Sequence, residues 1–354
     1  MSQHRLVVKS LILILVLLSV RCTADQDLEP GEMAGVTLEE LVRLDFVDAP
    51  TLPSEGGIVE WDEVNGIVAF VDARVPHEIL LFSGNGQFEQ TLGGSGEGPG
   101  EYDRIEAMTF DQDARLWVVS RMGTRVDVYS QEFALDRSFT LDRRVVKVRP
   151  LGEAPLVVVT SGPGGPDVEL LRSDGSLDPV GIGLPENADG ELIAIATDGE
   201  SRYWVAAPHE FRILAGDELG GEAQMAMEEP EWFTATYPGD FQEEFAGFLD
   251  TRGATILALE YDLEEDVLWA VAGVPRRDVD VPRVREAFQG EDAELLAELP
   301  AMLIDHVMIG VDPGTEDVIA EERFDFRPVS LRSNQQYEVS EDGAISIVRP
   351  VVVR

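Results

Sequence analysis

Apolar runs separated by short polar turns recur along the chain at intervals of roughly 40 to 65 residues. The stretch 108–119, MTFDQDARLWVV, has a strand-like run, a polar turn and a second apolar run that contains Trp117. Similar stretches occur at 148–159, 195–206 and 259–271, and a weaker copy occurs at 59–70. Such self-similarity is typical of a protein built from structural repeats.

A second hairpin signal follows these copies. The segment 81–86 ends in Asn-Gly and the segment 171–175 ends in Asp-Gly, and both dipeptides favour tight turns between strands. In the second copy the pattern predicts four short strands, at about 105–110, 115–121, 125–130 and 137–141. Four antiparallel strands per repeat, with an aromatic residue recurring in the second strand, are typical of a β-propeller blade.

The number of blades follows from the length of the repeating region. Two segments, 228–253 and 275–304, interrupt the period, and we expect both to be partly helical insertions. Without them the chain provides roughly 44 residues for each of six blades, which lies in the propeller range. We therefore predict an all-β, six-bladed β-propeller of four-stranded antiparallel blades over 36–354. We expect a strand from 41–47 to complete the last blade and to close the ring.

The first 24 residues have the pattern of a secretory signal peptide. A basic head precedes the apolar run 11–20, which is too short to cross a bilayer. Two cleavage sites stay open. The residues before Cys22 resemble a bacterial lipobox, which would leave Cys22 lipidated, although Arg21 is not the small residue that the motif requires; cleavage after Ala24 would remove Cys22. Either site predicts a periplasmic, secreted or lipid-anchored bacterial envelope protein with a flexible tail at 25–35.

A glycine-rich connector carries a resemblance to a known family. The segment 93–102, GGSGEGPGEY, resembles the connector of secreted bacterial six-bladed β-propellers, which are related to NHL and TolB-like repeats, and 311–325 is similar to a late blade of the same group. The resemblance implies the propeller fold and a location outside the cytoplasm, and it implies little about activity. NHL-like repeats often carry Arg where Arg125 opens a third strand, which implies a structural pairing for this residue.

The chain is strongly acidic, with 68 Asp and Glu against 27 Lys and Arg and a net charge of −41. A charge of this sign repels phosphate chains, so we expect no nucleic-acid partner. We expect contact with a membrane only through a lipid anchor at Cys22. Two explanations of the acidity stay open: it attracts a cationic partner or calcium, or it reflects a GC-rich genome or a saline habitat.

Propeller topology predicts that the irregular segments share one face. Turns between second and third strands lie at the same end of the blades as the crossings between blades. This places four segments together, and we call their side of the ring the decorated face: 93–104, 160–167, 228–253 and 275–304. Long insertions on one face of a rigid scaffold commonly form a binding surface, or they simply roof the channel. The candidate ligand-binding residues on this face are Glu97, Glu101, Tyr102, Trp232 and Tyr237.

The sequence favours a non-catalytic binding or scaffold module, without a cofactor, for an unidentified protein or small-molecule partner. It contains no Gly-x-Ser-x-Gly elbow and no Cys–His pairing, and we identify no catalytic residue. The alternative is a hydrolase or lactonase of the gluconolactonase type, which would hold a divalent cation such as calcium in the central channel. Its candidate ligands are Glu60, Glu106 and Glu260 from first strands, where alternation points each side chain either inward or into the blade.

Overall fold

The structure, a computed structural model, is an all-β assembly of six antiparallel sheets. It describes residues 34–353 except for these gaps: 51–56, 161–164, 186–187, 209, 218–221, 226–228, 235, 237–241, 243–252, 277, 290–301, 325–335 and 340–343. The signal peptide predicted at 1–24, the candidate Cys22 and the candidate Tyr237 therefore lie outside the described residues.

Five of the sheets have four strands each, and we number them as blades in chain order. The first strand of the chain, β1 (Gly35–Leu44), belongs to the last sheet. Blade 1 contains β2 (Ile58–Asp62), β3 (Ile67–Val71), β4 (Glu78–Ser83) and β5 (Phe88–Gly93). Blade 2 contains β6 (Ile105–Phe110), β7 (Leu116–Ser120), β8 (Arg125–Tyr129) and β9 (Leu135–Thr140). The four strands of blade 2 confirm those predicted from the sequence pattern.

The later blades repeat the same order. Blade 3 contains β10 (Arg144–Arg149), β11 (Leu156–Thr160), β12 (Pro166–Leu171) and β13 (Leu177–Pro179). Blade 4 contains β14 (Ala194–Thr197), β15 (Arg202–Ala206), β16 (Ile213–Asp217) and β17 (Glu222–Gln224). Blade 5 contains β18 (Thr255–Asp262), β19 (Val267–Pro275), β20 (Ile304–Val311) and β21 (Val318–Phe324).

Blade 6 is formed from both ends of the chain. It contains β22 (Gln336–Val339), β23 (Ile345–Val353) and β1, so among the described residues it has three strands rather than the predicted four. β1 pairs antiparallel with β23, with Gly35 opposite Val353. The closing strand thus begins before the predicted range 41–47. The end of the predicted flexible tail is also ordered, because Ala34 donates a hydrogen bond to the carbonyl of Ile319 at 3.3 Å.

Six hydrophobic cores lie between successive blades and show that the ring is closed. Each core contains residues from both of its blades. Examples are Ile79 and Leu116 between blades 1 and 2, Trp117 and Val157 between blades 2 and 3, Leu156 and Val205 between blades 3 and 4, Trp204 and Leu268 between blades 4 and 5, Trp269 and Val36 between blades 5 and 6, and Phe70 and Ile347 between blades 6 and 1. Each strand sends alternate side chains to opposite faces of its sheet, so every sheet contributes to two cores. The recurring tryptophans therefore pack between blades, as the blade period indicates.

The strand order brings the described ends of the four irregular segments to one side of the ring, the decorated face. Segments 93–104 and 228–253 join a fourth strand to the next first strand, whereas 160–167 and 275–304 join second and third strands. The turn 72–77 of blade 1 belongs to the same face, because the amide of Gly94 donates to the carbonyl of His77 at 3.0 Å.

Among the described residues, helix is confined to short pieces. Insertion 275–304 contains α1 (Val281–Gln289), insertion 228–253 contains the single-turn 3-10 helix Glu231–Thr234, and another 3-10 turn spans Gly190–Leu192. Within the described residues, no helix combines the length and the apolar character needed to span a membrane.

Candidate functional site

The glycine-rich connector of the decorated face is folded around Arg125. This arginine opens β8 and is buried, with an ion pair of 2.6 Å between its Nη2 and Oδ2 of Asp127. Its guanidinium also donates to the carbonyls of Glu97 at 3.1 Å and Gly98 at 2.5 Å. The amide of Gly100 donates to Oδ2 of Asp127 at 3.0 Å. The Arg125–Asp127 pair therefore fixes the connector to blade 2, as the resemblance to NHL-like repeats implies.

Glu101 turns back onto its own loop. Its Oε2 accepts a hydrogen bond from the amide of Gly98 at 2.9 Å. A Cβ atom at Gly96 would lie 2.2 Å from the same oxygen, so only glycine fits there while Glu101 keeps this position. The Gly-x-Gly-x-Gly-Pro-Gly-Glu pattern thus encodes a self-bonded loop, and the Glu101 carboxylate helps to hold that loop.

Tyr102 and Trp232 are structural residues rather than exposed ligand contacts, which corrects the prediction for both. Tyr102 is only 1% exposed, and its hydroxyl lies 2.7 Å from that of Tyr129. Burial, with a further contribution from Tyr129, raises the pKa of Tyr102. Trp232 packs beside Phe233 between blades 4 and 5, and its Nε1 donates to Oε2 of Glu321 at 2.9 Å. Aromatic side chains such as these suit a core as well as a binding surface.

Glu97 keeps an exposed side chain on the decorated face. It is 91% exposed, and its nearest charged neighbour is Arg121, at 3.7 Å between Arg121 Nη2 and Glu97 Oε2. Arg121 lies in the turn between β7 and β8, next to Met122, which is 72% exposed. Both residues of this turn have a positive φ, 53° for Arg121 and 54° for Met122, a region that non-glycine residues seldom adopt.

In the central channel, two of the predicted metal ligands meet an arginine. Glu60 of β2 and Glu260 of β18 both interact electrostatically with Arg149 of β10, and first strands of blades 1, 3 and 5 can meet only at the axis. Arg149 donates from Nε to the carbonyl of Ile195 at 3.1 Å and from Nη1 to that of Val148 at 3.0 Å. Burial lowers the pKa of the Arg149 guanidinium, and both carboxylates oppose this effect.

Glu106 forms a different interaction from the other two acids. The pairing of β6 with β7 shifts between Ile105 and Ala107, so Glu106 is the extra residue of a bulge. Its carboxylate lies 3.6 Å from Nε of Arg104, which is half exposed. Across the described part of the chain, no group of three His, Cys, Asp or Glu side chains is placed to hold a metal ion.

The sequence interpretation missed Arg149 and Lys147, which are both buried in β10. They occupy alternate positions of a first strand, where the other blades carry mainly apolar or small side chains. Lys147 is also one of only two lysines in the whole chain. A Lys-Val-Arg pattern within an inner strand was therefore a usable signal for a charged channel.

Six sheets with six shared cores define this chain as a β-propeller with six blades. Residues 58–157 match the family DUF5128, described as a 6-bladed beta-propeller. This match and the fold agree with the bacterial propeller group that the connector motif indicates.

Solved structures resemble the chain at low sequence identity. A DUF4221 family member from Bacteroides vulgatus superposes with a TM-score of 0.58 at 11% identity, covering 91% of this chain and 100% of that one. A Bacteroides fragilis protein gives 0.49 at 14% identity, with 81% and 75% covered. Virginiamycin B lyase from Staphylococcus aureus gives 0.45 at 12% identity, with 88% and 99% covered. The first of these shows a shared fold alone. No curated protein matches the chain.

Proposed function

We propose that this propeller is an extracytoplasmic, non-catalytic binding or scaffold module whose decorated face contacts a protein or small-molecule partner. The observation that supports the proposal most strongly is the strand order, which brings the described ends of all four irregular segments to one face of a closed ring. A rigid scaffold that concentrates its variable loops at one end is a common arrangement for recognition. The location rests on the signal-peptide pattern of the first 24 residues and on the connector resemblance.

The turn at Arg121 and Met122 supports this proposal. Two successive non-glycine residues with positive φ cost roughly 1–3 kcal/mol each, and this turn differs from other described turns, in which such residues stand singly: Ala114, Phe133, Asp266 and Glu316. The strained turn holds the Met122 side chain in solvent, beside the exposed Glu97. A flexible apolar side chain next to charged groups is a suitable contact for a protein surface.

Insertion 275–304 supports the same conclusion. Val284 of α1 and Leu303 form a small core that is separate from the six cores between blades. This element therefore adds structure to the decorated face without filling the ring, which fits a role in contact better than a role in folding.

Photo-crosslinking tests the proposal within a single blade. A benzophenone amino acid replaces Met122 on the decorated face or Asp113, which is 60% exposed, in the turn at the opposite end of blade 2. We expect the probe at position 122 to capture a defined partner in cells of the native host, and the probe at 113 to capture none. Capture from position 113 alone, or from neither position, would contradict the proposal.

A further inference from the structure

We propose that Arg149 is a built-in counter-cation of the central channel, standing where a propeller of the gluconolactonase type would hold a divalent metal ion. Two of the three residues that the metal hypothesis names, Glu60 and Glu260, are present in the channel, but the arginine neutralises them. The channel of this chain is accordingly a structural ion-pair layer and not a metal centre. This inference concerns the channel alone and is independent of the proposed role of the decorated face.

Strand register supports the proposal. In each of blades 1 to 5, one residue of the first strand points towards the following blade and pairs with a residue of the second strand. These pairs are Glu60 with Ala69, Thr109 with Trp117, Arg149 with Leu156, Ala196 with Trp204, and Glu260 with Trp269. These positions form one layer around the axis. Within it the arginine interacts with both carboxylates, and Glu60 and Arg149 are buried.

Arg149 is held firmly in this layer. Its guanidinium donates to the backbone carbonyls of Val148 and Ile195, which belong to two adjacent inner strands. Lys147 lies two positions earlier on the same side of β10 and is also buried. A divalent cation would therefore find the two carboxylates already neutralised. Removing the arginine alone would be costly, because the carboxylates would remain charged without their partner.

The same contacts indicate what the layer becomes without the guanidinium. Two carboxylates and the carbonyls of Val148 and Ile195 would then remain as the oxygen groups around the position that the guanidinium leaves. Calcium prefers ligands of this kind. The proposal therefore predicts that removal of one side chain converts the channel into a calcium site.

The test compares the wild type with Arg149→Ala and the charge-keeping control Arg149→Lys. Calcium chloride is the probe, and the readouts are equilibrium dialysis and the shift of Tm on adding calcium, because a ligand that binds only the folded state raises Tm. We expect close to one calcium bound and a Tm increase of several degrees for Arg149→Ala, and neither for the other two proteins. Stoichiometric calcium in the wild type, or a folded Arg149→Ala that binds none, would overturn the proposal.

A compensated variant covers the case in which Arg149→Ala does not fold. Arg149→Ala combined with Glu60→Gln and Glu260→Gln removes the two negative charges together with the arginine. We expect this triple variant to fold, with a Tm far above that of Arg149→Ala without calcium, and to bind no calcium. If the triple variant is no more stable than the single one, the carboxylates are not the charges that Arg149 neutralises, and the proposal is wrong.

Discussion

Single buried charges connect the blades at the residue scale. Arg125 holds the connector between blades 1 and 2 through Asp127 and two loop carbonyls. Arg149 reaches from blade 3 to a carbonyl of blade 4. Because such groups lose their hydration on folding, they are tolerated only where partners are complete, and removal of one partner is expensive.

Replacing Arg125 with Met should destabilise the protein by about 3–5 kcal/mol, because Asp127 would remain buried and charged without its partner. Urea unfolding gives this difference in the free energy of unfolding. The control is Arg137→Met, which breaks the exposed pair with Asp136 and should cost less than about 1 kcal/mol. Equal losses in the two variants would show that the Arg125 pair does not hold the connector.

Acid should weaken the turn that Asp198 organises. This carboxylate accepts hydrogen bonds from the amides of Glu200, Ser201 and Arg202 and from Nε of Arg202. Burial favours the neutral acid, but these bonds outweigh it and lower the pKa of Asp198 below its ordinary value. A lowered pKa stabilises the fold above the unfolded value of about 3.9, and this contribution is lost as the pH falls below it.

The matched variant for this effect is Asp198→Asn. Its Tm should lie below that of the wild type at pH 6, and the gap should narrow as the pH falls from 5 to 3. Thermal unfolding across this range measures the gap. A gap that stays constant with pH would mean that the charge of Asp198 contributes nothing to stability.

The candidate residues show what sequence patterns omit at this scale. The connector motif was recognisable, yet the direction of Glu101 and Tyr102 depends on Arg125, Asp127 and Tyr129 of the next blade. The same local sequence pattern is compatible with a side chain that points into solvent and with one that folds back onto its own loop. Glu97 was predictable as an exposed residue, and the partners of Glu60 and Glu260 were not, because they meet Arg149 only through ring closure.

At the element scale, β1 closes the ring. Val42 and Leu44 enter the core between blades 6 and 1, whereas Val36 enters the core between blades 5 and 6. The alternation of apolar runs and polar turns predicted the strands of blade 2 well, because each of these strands pairs with the next strand in the sequence. The start of β1 was not predictable in this way, because its first half pairs with 349–353 at the far end of the chain.

Truncation tests the closing strand. A chain that begins at residue 34 should keep a cooperative transition with the Tm of the mature protein. A chain that begins at Asp45 should lose that transition and associate, because β23 would become an unprotected edge and two cores would be incomplete. Circular dichroism melts and light scattering distinguish these outcomes. A monomeric, cooperatively folding chain without β1 would show that closure is not required.

The two insertions should respond differently to removal. Replacing 276–303 with Asn-Gly should change Tm by only a few degrees, because the antiparallel pair β19–β20 can be joined by a tight turn and Val284 packs outside the ring cores. Trp232→Ala should instead cost about 3–5 kcal/mol, because it empties part of the core between blades 4 and 5. If thermal and urea unfolding show comparable losses of stability for the two changes, the distinction between the two insertions is wrong.

At the scale of the whole molecule, the two ends of the ring differ. One end carries short turns organised by aspartates such as Asp111 and Asp198, whose hydrogen bonds are largely internal. The other end, the decorated face, carries long segments and an insertion with its own core. We therefore infer that the ring provides stability and that one face provides recognition.

Hydrogen–deuterium exchange of the complex with the partner captured through position 122 tests this assignment most directly. We predict that binding slows hydrogen exchange in 93–104 and 121–124 and leaves the exchange of the turn 111–115 in blade 2 unchanged. Protection confined to 111–115 and the equivalent turns of other blades would contradict the account, because recognition would then belong to the opposite face.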